Sequence, residues 1–442
     1  MVKNRRPIEV REAIEQVMKF AKSGSVDFVP IEHANGLFLG SDLLADHDVP
    51  SFNRSPYDGF AIRSIDTQQA SADHPIELKV VGEIGAGSIF TDTLQPREAV
   101  RIMTGAQIPE GCDAVVMLEL VKEMKKDGGD IIQLKRSYLP GDNISFRGED
   151  TKQGTVLAQK GTYINPGIIA LLATFGYKQV PISKKPRVGV IATGSELLQI
   201  DEPLEPGKIR NSNAYMVNAQ IERAGAIPIY FGQFSDHFET CYEKVKETLS
   251  KVDFLITTGG VSVGDYDYLP AIYEKLQANI LFNKVGMRPG SVTTVAEKDG
   301  KLLFGLSGNP SACYVGFELF TRPIIRTFLE CENPFLKSVT ATLGSNFSKP
   351  NPFDRFVRGY LSFEDGEVTV FPNGLDKSGS VASLAMTNVF IVLPGGTRGF
   401  EKGMKVKIIL LDDQGGSASL SFIDQKKRNS YRKENSSERG AF

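Results

Sequence analysis

The sequence is poor in the residue types that build metal centres, disulfide frameworks and nucleophilic active sites. It has only four cysteines and four histidines in 442 residues. The cysteines are scattered, at Cys112, Cys241, Cys313 and Cys331. Without a Cys-x-x-Cys pair, neither a zinc site nor a disulfide framework is expected. The histidines are isolated, at His33, His47, His74 and His237. Histidine-based acid–base or nucleophilic chemistry is therefore not expected.

Charge of one sign and long apolar runs are also lacking. The net charge is −2, so the chain as a whole has no electrostatic bias toward nucleic acid or a membrane surface. No apolar run approaches the roughly 18 residues of a membrane span. The opening stretch "MVKNRRPIEVREAIEQVMKF" lacks the apolar core of a signal peptide. We expect a cytoplasmic protein of a reducing compartment, with no nucleic-acid or membrane partner.

The patterning changes several times along the chain, and the length predicts three or four domains at about 100–200 residues each. Residues 8–22 have the spacing of an amphipathic helix. From Val26 to Val180, short β-rich segments alternate with glycine, proline and aspartate clusters. From Pro334 the pattern is that of a small all-β domain, and from Gly415 it becomes a polar, locally basic tail for which we expect disorder.

Between these regions, continuous apolar runs alternate with helical patterns. The predicted strands are Arg187–Ala192, Ile227–Phe231, Asp253–Thr257 and Leu302–Leu306. The predicted helices are Ala214–Ala224, Phe238–Lys251, Pro270–Gln277 and Asn309–Phe328. Strands that are apolar on both sides, placed between helices, are typical of a parallel α/β sheet covered on both faces.

Three glycine loops follow strands of this predicted sheet, in "IATGSELL", "TTGGVSVGDYDY" and "GLSGNPSA". Ligands of parallel sheets bind beyond the carboxyl ends of the strands, where glycine turns expose backbone N–H groups to an anion. The loops contain acids and no lysine, which favours a divalent cation between acid and phosphate. We expect a phosphate-bearing ligand, with Asp265 or Asp267 facing a metal or a sugar hydroxyl. The alternative is that the glycines are tight turns and the acids helix caps.

Isolated charged residues elsewhere leave two interpretations open. Lys284 and Arg288 in "NKVGMRPGS" either belong to a solvated loop or point over the same sheet edge toward an anion. Asp58 lies in an Asp-Gly turn signal, and Thr104 follows a predicted strand. The segment "SFRGEDTKQG" groups Arg147 with two acids. Taken singly, each of these is a turn or a surface ion pair.

Taken together, the segments resemble one family. The nine segments are "SPYDGFA", "RIMTGAQIPEGCDAVV", "RGEDTKQG", "VGVIATGSELL", "GKIRNSN", "TTGGVSVGDYDY", "VGMRPG", "GLSGNPSA" and "GSVASLAMTN". Their order and types resemble the molybdopterin molybdenumtransferases, whose eukaryotic counterpart is the E domain of gephyrin. The resemblance implies that molybdate and adenylylated molybdopterin react with release of AMP, and that Mg²⁺ is required. Whether other molybdenum cofactor synthesis proteins bind this chain as partners stays open.

The resemblance further implies a multi-domain α/β plus β fold, with a doubly wound parallel α/β domain and an L-shaped subunit in a homodimer. The expected parts are an N-terminal helix (1–25), a linking α+β subdomain (26–50 and 141–183), a β-rich inserted subdomain (51–140), the α/β molybdopterin-binding domain (184–330), a C-terminal β-barrel domain (331–413) and the tail (414–442). The active cleft is expected between the α/β domain of one chain and the β-rich subdomain of its partner.

The site residues that the resemblance implies fall into two sets. The catalytic set is Asp58, Thr104, Glu196, Asp236, Asp267, Lys284 and Arg288. The set that binds the pterin and nucleotide is Gly194, Ser195, Gly259, Gly260, Ser262, Gly264, Gly308, Asn309, Pro310 and Ser380. Glu196, Asp236 and Asp267 are expected to order Mg²⁺, and Lys284 and Arg288 to balance molybdate or the pyrophosphate.

Three positions depart from the family pattern. Tyr57 stands where methionine is usual, Ser291 where lysine is common and Ser307 where proline is common. The second departure removes an expected anion contact, and the third is expected to loosen its turn. Two other functions stay open. One is a molybdopterin adenylyltransferase-like enzyme, whose loop resembles TGGTG rather than "TGGVSVG", and the other is a dimeric scaffold protein.

Overall fold

The computed structural model describes residues 6–126, 128–234, 238–260, 269–364, 366–412 and 416–420. The strands are β1 (Val26–Pro30), β2 (Leu43–Leu44), β3 (Gly59–Ile62), β4 (Ile76–Ile84), β5 (Glu98–Ile102), β6 (Ala114–Met117), β7 (Lys122–Lys126), β8 (Gly129–Leu134), β9 (Val156–Ala158), β10 (Gln179–Ser183), β11 (Arg187–Thr193), β12 (Leu197–Leu198), β13 (Ile209–Arg210), β14 (Ile227–Phe234), β15 (Phe254–Thr258), β16 (Asn279–Phe282), β17 (Met287–Arg288), β18 (Thr294–Lys298), β19 (Lys301–Leu306), β20 (Ser338–Leu343), β21 (Asp354–Glu364), β22 (Glu367–Pro372), β23 (Val389–Leu393) and β24 (Lys405–Leu410). The helices are α1 (Val10–Met18), α2 (Pro166–Thr174), α3 (Ser212–Ala224), α4 (Phe238–Lys251), α5 (Leu269–Lys275), α6 (Pro310–Gly316) and α7 (Arg322–Phe328).

These elements form two compact units. The first contains Met1–Ser41, Gln159–Ala170 and Lys178–Phe442, and the second contains Asp42–Ala158 and Leu171–Tyr177. None of the helices in the described part of the chain combines the length and apolar character needed to cross a lipid bilayer. The expected linking subdomain (26–50 and 141–183) is divided between the two units, and the finer domain boundaries stay predictions.

The second unit is rich in β-structure, as its pattern of short apolar segments and turns predicts. Its six-stranded sheet has the order β6-β3-β5-β4-β8-β7, and β2 pairs with β9. Strand β3 lies between β5 and β6 in antiparallel register, with Gly59 opposite Ile102 and Met117. A Cβ on Gly59 would stand 1.9 Å from the Val116 carbonyl oxygen, a steric overlap, so only glycine fits at this strand start.

The first unit is built around the predicted α/β sheet. Its order is β14-β11-β15-β19-β18-β16. The first four strands are parallel neighbours, and β18 and β16 extend the sheet in antiparallel fashion. The doubly wound parallel fold is thus confirmed, with two antiparallel strands that the sequence patterns did not predict.

Helices cover both faces of this sheet. One face packs against α1, α3, α6 and α7 in one apolar cluster, and the other packs against α4 and α5 in a second. On α1, Val10, Ile14 and Val17 are almost fully buried. Burying each such side chain contributes roughly 1.5–3 kcal/mol, which fixes the N-terminal helix on the α/β sheet.

The C-terminal strands close on themselves. Along the chain of pairings β21-β22-β20-β24-β23, the last strand returns to pair with β21. The predicted small C-terminal barrel is therefore confirmed, and it has an apolar core of its own. Strand β17, which the α/β region contributes, pairs in parallel with β21. This pairing connects barrel strand β21 to the segment that follows β16.

Candidate functional site

The carboxyl ends of the parallel strands open onto a cavity of about 690 Å³. Its lining includes the residues at or just after the ends of β11, β15 and β19, namely Thr193, Gly194, Gly259, Gly260, Ser307 and Gly308. Because parallel strands end at the same edge of a sheet, the three glycine loops meet although they are far apart in sequence.

The loop after β15 approaches the end of β11 so closely that it requires glycine. Gly259 and Gly260 have φ values of +91° and +66°. A Cβ on Gly259 would stand 2.5 Å from the Thr193 carbonyl oxygen, and one on Gly260 would stand 3.0 Å from the Thr193 hydroxyl. The Gly259 N–H donates to the Leu306 carbonyl at 3.0 Å. No acceptor within the described segments receives the N–H groups of Gly260 and Gly308, and both residues line the cavity.

The loop after β19 is held from both sides. The Asn309 N–H donates to the Ser307 hydroxyl at 3.2 Å, and the Asn213 side chain donates to the Gly308 carbonyl at 2.8 Å. Pro310 occupies the first position of α6, where its missing N–H costs nothing. Ser307 was expected to loosen this turn, but its hydroxyl accepts a hydrogen bond that closes the turn.

Glu196 contributes a carboxylate to the cavity. A Cβ on Gly194 would stand 2.5 Å from Glu196 Oε2, so the carboxylate lies against the loop that carries it. Within the described ranges, the side chain has no hydrogen-bond or ion-pair partner. Ser195, between these two residues, does not line the cavity. Five other predicted site residues lie outside the described residues: Asp236, Ser262, Gly264, Asp265 and Asp267.

The expected Mg²⁺ can be tested against this donor set. No group of three or more His, Cys, Asp or Glu side chains suited to a metal occurs in the ranges that the structure describes. Protein sites for Mg²⁺ commonly use one or two carboxylates, with substrate oxygens and water as the remaining ligands. Glu196 beside exposed loop amides fits one position of such a site.

Cations line the same cavity. Arg288 is exposed and lines it, as one of the two sequence interpretations has it. Lys284 does not line it, and its backbone carbonyl accepts a hydrogen bond from Ile8 at 3.1 Å. Thus the structure brings only one of these two predicted cations to the cavity.

Sequence reasoning missed the wall that the barrel contributes. Arg355 and Arg358 of β21 line the cavity, together with Asp376 and Ser378. The Asp376 carboxylate pairs with both arginines, at 2.7 Å from Arg355 Nη1 and 3.2 Å from Arg358 Nη1. Charged residues inside an apolar β-run were the available signal, but the run itself does not show which surface the strand faces.

Ser380 is connected to the start of α6 through its backbone carbonyl. The Ser311 hydroxyl donates to the Ser380 carbonyl at 2.7 Å, and the Ser311 N–H donates to the Ser378 carbonyl at 3.0 Å. Ser380 does not itself line the cavity. These bonds fix the barrel loop to the first turn of α6, which begins at the cavity.

In the second unit, two predicted site residues meet. Thr104 donates to Asp58 Oδ1 from its backbone N–H at 2.7 Å and from its hydroxyl at 2.8 Å. These bonds, the backbone one first, lower the pKa of Asp58. In the segment "RGED", two residues have structural partners: Glu149 accepts from the Phe146 N–H at 2.9 Å, and Arg147 pairs with Asp48 at 2.6 Å.

Family models cover most of the chain. The MoeA N-terminal region (domain I and II) matches residues 8–176, the probable molybdopterin binding domain matches residues 189–327, and the MoeA C-terminal region (domain IV) matches residues 340–411. The three matches follow one another in the order that the sequence patterns predict.

Whole-chain relatives agree with these models. The molybdopterin molybdenumtransferase of Bacillus subtilis is 57% identical over 417 residues, which cover 94% of this chain and 97% of that protein. The Staphylococcus aureus (strain Mu50) protein of the same name is 49% identical over 421 residues, which cover 95% and 99%. A crystal structure of the molybdopterin biosynthesis MoeA protein from Pyrococcus horikoshii superposes with a TM-score of 0.78 at 31% identity, covering 92% of this chain and 100% of that one. The chain therefore belongs to the molybdopterin molybdenumtransferase family.

Proposed function

We propose that this protein, as a cytoplasmic homodimer, inserts molybdenum from molybdate into adenylylated molybdopterin and releases AMP. The observation that carries the proposal is the cavity at the carboxyl edge of the sheet. It combines strand-end glycine loops, the Glu196 carboxylate and three arginines. This donor set suits a ligand with several anionic groups. The homodimer, the cytoplasmic location and the release of AMP rest on the resemblance, whereas the molybdenum transfer also rests on the activity for which the relatives are named.

The residues of this chain would act mainly by positioning and by neutralising charge. The loop amides of Gly260 and Gly308 would hold phosphate oxygens, and Arg288 would balance the anhydride or the oxyanion. Glu196, with Asp236 and Asp267, would hold Mg²⁺, whose positive charge stabilises developing negative charge when it is bound.

The proposal includes a contribution from the second protomer. By the resemblance, Asp58 and Thr104 of the partner subunit complete the cleft. The hydrogen-bonded Asp58–Thr104 pair supports a functional carboxylate, because both donors of Thr104 favour its ionised form. Such a carboxylate could orient a water or hold a cation at the anhydride.

The decisive experiment incubates the purified protein with adenylylated molybdopterin, Mg²⁺ and increasing molybdate, and follows AMP by chromatography. A molybdate-dependent release of AMP supports the enzyme. A scaffold would show none, and an adenylyltransferase would instead form adenylylated molybdopterin from ATP and molybdopterin. Either of these outcomes would overturn the proposal.

Two variants connect the activity to the proposed site. Glu196→Gln should slow AMP release roughly 10²-fold, as expected when one electrostatic contact to the transition state is lost. Glu205→Gln is the matched control, because Glu205 pairs with Lys208 at 3.1 Å and does not line the cavity. Asp267→Asn should abolish AMP release while the fold stays intact. Wild-type rates in both site variants would show that the site has been misplaced.

A further inference from the structure

We propose that Gln233, near the end of β14, is a positioning residue that holds the Glu196 carboxylate in the cavity. The inference rests on the proposed function, in which Glu196 helps to hold Mg²⁺ and to release AMP. Glu196 lines the cavity, whereas Gln233 does not. Gln233 therefore acts on the reaction through the backbone of the loop that follows β11.

The loop that carries Glu196 is a turn whose ends have weak backbone bonds. The Leu197 N–H donates to the Gly194 carbonyl at 3.4 Å, which makes Glu196 the third residue of a β-turn. The Gly194 N–H donates to the Phe234 carbonyl at 3.5 Å, and the Glu196 carbonyl accepts from the Ile209 N–H at 2.9 Å. The first two bonds are longer than the usual range of about 2.7–3.2 Å. The centre of the turn is thus anchored, but these backbone bonds hold its two ends only weakly.

The side chain of Gln233 supplies further bonds to both ends of the turn. Its Nε2 donates to the Leu197 carbonyl at 2.7 Å and to the Gly194 carbonyl at 3.3 Å. An amide nitrogen has two hydrogens, so it can serve both carbonyls. One side chain therefore connects the first and last residues of the turn and restricts Glu196 between them.

An amide suits this position because it donates without adding charge. A carboxylate in place of Gln233 could not donate when ionised, and it would put a second negative charge near Glu196. A lysine could donate, but its positive charge would attract the Glu196 carboxylate and compete with a divalent cation for it.

A β-bulge in β14 directs Gln233 to this turn. In the parallel pair β11–β14, residues 190–192 are matched by residues 230–233, so β14 contains one extra residue. Phe231 and Phe234 both pack against the apolar cluster of α4 and α5, although residues three apart on a regular strand face opposite sides. Bulges commonly re-aim a side chain beside an active site. Here the extra residue places Gln233 on the side away from these two rings.

The first test measures AMP release in Gln233→Met, which removes both donors and keeps the length of the side chain. The kcat should fall roughly 10-fold, less than in Glu196→Gln, because the carboxylate is displaced and not lost. The KM for adenylylated molybdopterin should stay within about twofold of wild type, since the loop amides of Gly260 and Gly308 keep their places.

A double variant shows whether Gln233 acts through Glu196. In Glu196→Gln, the carboxylate that Gln233 positions is already absent. Adding Gln233→Met should then slow AMP release by less than about twofold, because the two changes affect one interaction. A general loss of structure would instead lower the rate by the same factor in both backgrounds.

Hydrogen exchange followed by mass spectrometry examines the turn without substrate or metal. In Gln233→Met, the amides of residues 194–198 should exchange at least roughly fivefold faster, since each lost hydrogen bond makes local opening easier. In Glu196→Gln, exchange there should equal that of the wild type, because the carboxylate has no hydrogen-bond partner within the described ranges.

Gln199→Met is the matched control. The Gln199 amide reaches Gln233 Oε1 only at 3.5 Å, and the two carbonyls of the turn accept from Gln233. Its kcat and its exchange should stay within about twofold of wild type. Gln233→Glu, which has nearly the shape of the native side chain, should lose at least as much activity as Gln233→Met, and it provides the comparison if the methionine variant does not fold.

Three outcomes would overturn the inference: unchanged exchange in Gln233→Met, an undiminished effect of Gln233→Met in the Glu196→Gln background, or equal effects in Gln199→Met. If the wild-type protein releases no AMP while exchange of the turn depends on Gln233 as described, the proposed function fails and the positioning of Glu196 by Gln233 stands.

Discussion

Thr104 holds one oxygen of Asp58 with two hydrogen bonds, from its N–H at 2.7 Å and its hydroxyl at 2.8 Å. Asp58 directly precedes β3 and Thr104 comes shortly after β5, and these two strands are antiparallel neighbours. The sheet of the second unit therefore brings together two residues that are 46 positions apart. Because both donors stabilise the charged form, Asp58 keeps its charge to lower pH than an ordinary aspartate.

Thr104→Val tests whether this pair serves the reaction. The variant keeps the backbone donor and loses the hydroxyl, so the pKa of Asp58 should rise part of the way toward its ordinary value. A carboxylate with a depressed pKa is ionised until the pH falls through that pKa. The acid limb of the pH profile of AMP release should therefore move to higher pH in the variant.

Thr93→Val provides the control, because Thr93 is exposed and its side chain has no partner in the part of the chain that the structure describes. Its pH profile should match that of the wild type. If the acid limb stays in place in Thr104→Val while a carboxyl titration followed by NMR shows the pKa change, Asp58 does not have to be ionised for turnover.

Local sequence patterns correctly predicted the helices and strands that depend on the spacing of apolar residues close together in the sequence. Helix α4 has the predicted bounds Phe238–Lys251, and each of the four predicted sheet strands is found with small shifts at its ends. The first helix is shorter than the predicted 8–22. Ile8 is drawn into a bridge with Val285 instead, with its N–H bonded to the Lys284 carbonyl at 3.1 Å.

Tertiary contacts determine the features that local sequence patterns did not predict. The predicted helix Asn309–Phe328 is interrupted by a π-helical turn, Phe317–Thr321, which carries the buried Glu318. In the site, the strand-end glycines were predictable because each loop follows its own strand. Arg355 and Arg358 were not, because their place at the cavity depends on long-range contacts, namely the pairing of β17 with β21 and the bonds from Ser311 to the barrel loop.

Gly259→Ala should strain the backbone of the loop after β15, and should thereby lower both the stability of the protein and its activity. A side chain there meets both a left-handed φ of +91° and the Thr193 carbonyl at 2.5 Å. Gly207→Ala is the matched control, since Gly207 has a φ of +77° with nothing within 4 Å of the added Cβ. The control should cost about 1 kcal/mol of unfolding free energy, and Gly259→Ala about 1–3 kcal/mol more.

Urea unfolding of both variants, followed by circular dichroism, measures this difference. AMP release should fall in Gly259→Ala and not in Gly207→Ala, because only the first alters the loop at the cavity. Equal stability and equal activity in the two variants would show that the contact with Thr193 is easily relieved.

Ile209 should contribute to binding the ring system of the substrate. It is 57% exposed, yet it lines the cavity that is otherwise rich in polar groups. A flat pterin or adenine ring that covered this side chain would gain part of the ~1.5–3 kcal/mol of a buried isoleucine. Ile209→Ser should therefore raise the KM for adenylylated molybdopterin by roughly fivefold to tenfold, with little change in kcat.

The comparison variant is Ile200→Ser, because Ile200 is 52% exposed and does not line the cavity. Its KM should equal that of the wild type. A rise in both variants would indicate a general effect of losing surface isoleucines, and a rise in neither would show that the ring lies elsewhere.

The largest stability effect should come from Glu318, whose side chain is fully buried. Its Oε1 accepts from Arg223 Nη2 at 2.5 Å and from the Gln220 amide at 2.7 Å, and its Oε2 lies 3.9 Å from Arg322 Nε. One carboxylate thus serves two arginines, and Arg322 is only 3% exposed. Burial lowers the pKa of Arg322 to about 10, and Arg326 adds to this, whereas Glu318 opposes it.

Glu318→Gln should therefore lower the free energy of unfolding more than Arg223→Met does. The first change removes the carboxylate from both arginines, at about 3–5 kcal/mol, the cost of breaking a buried pair. The second leaves Arg322 and Gln220 beside the carboxylate, and Arg223 is partly exposed, so we expect about 2 kcal/mol. Lys244→Met, from an exposed pair with Glu247, should change the unfolding free energy by less than about 1 kcal/mol. Urea midpoints of the three variants decide the order, and a larger loss in Arg223→Met than in Glu318→Gln would show that Arg322 gains little from this carboxylate.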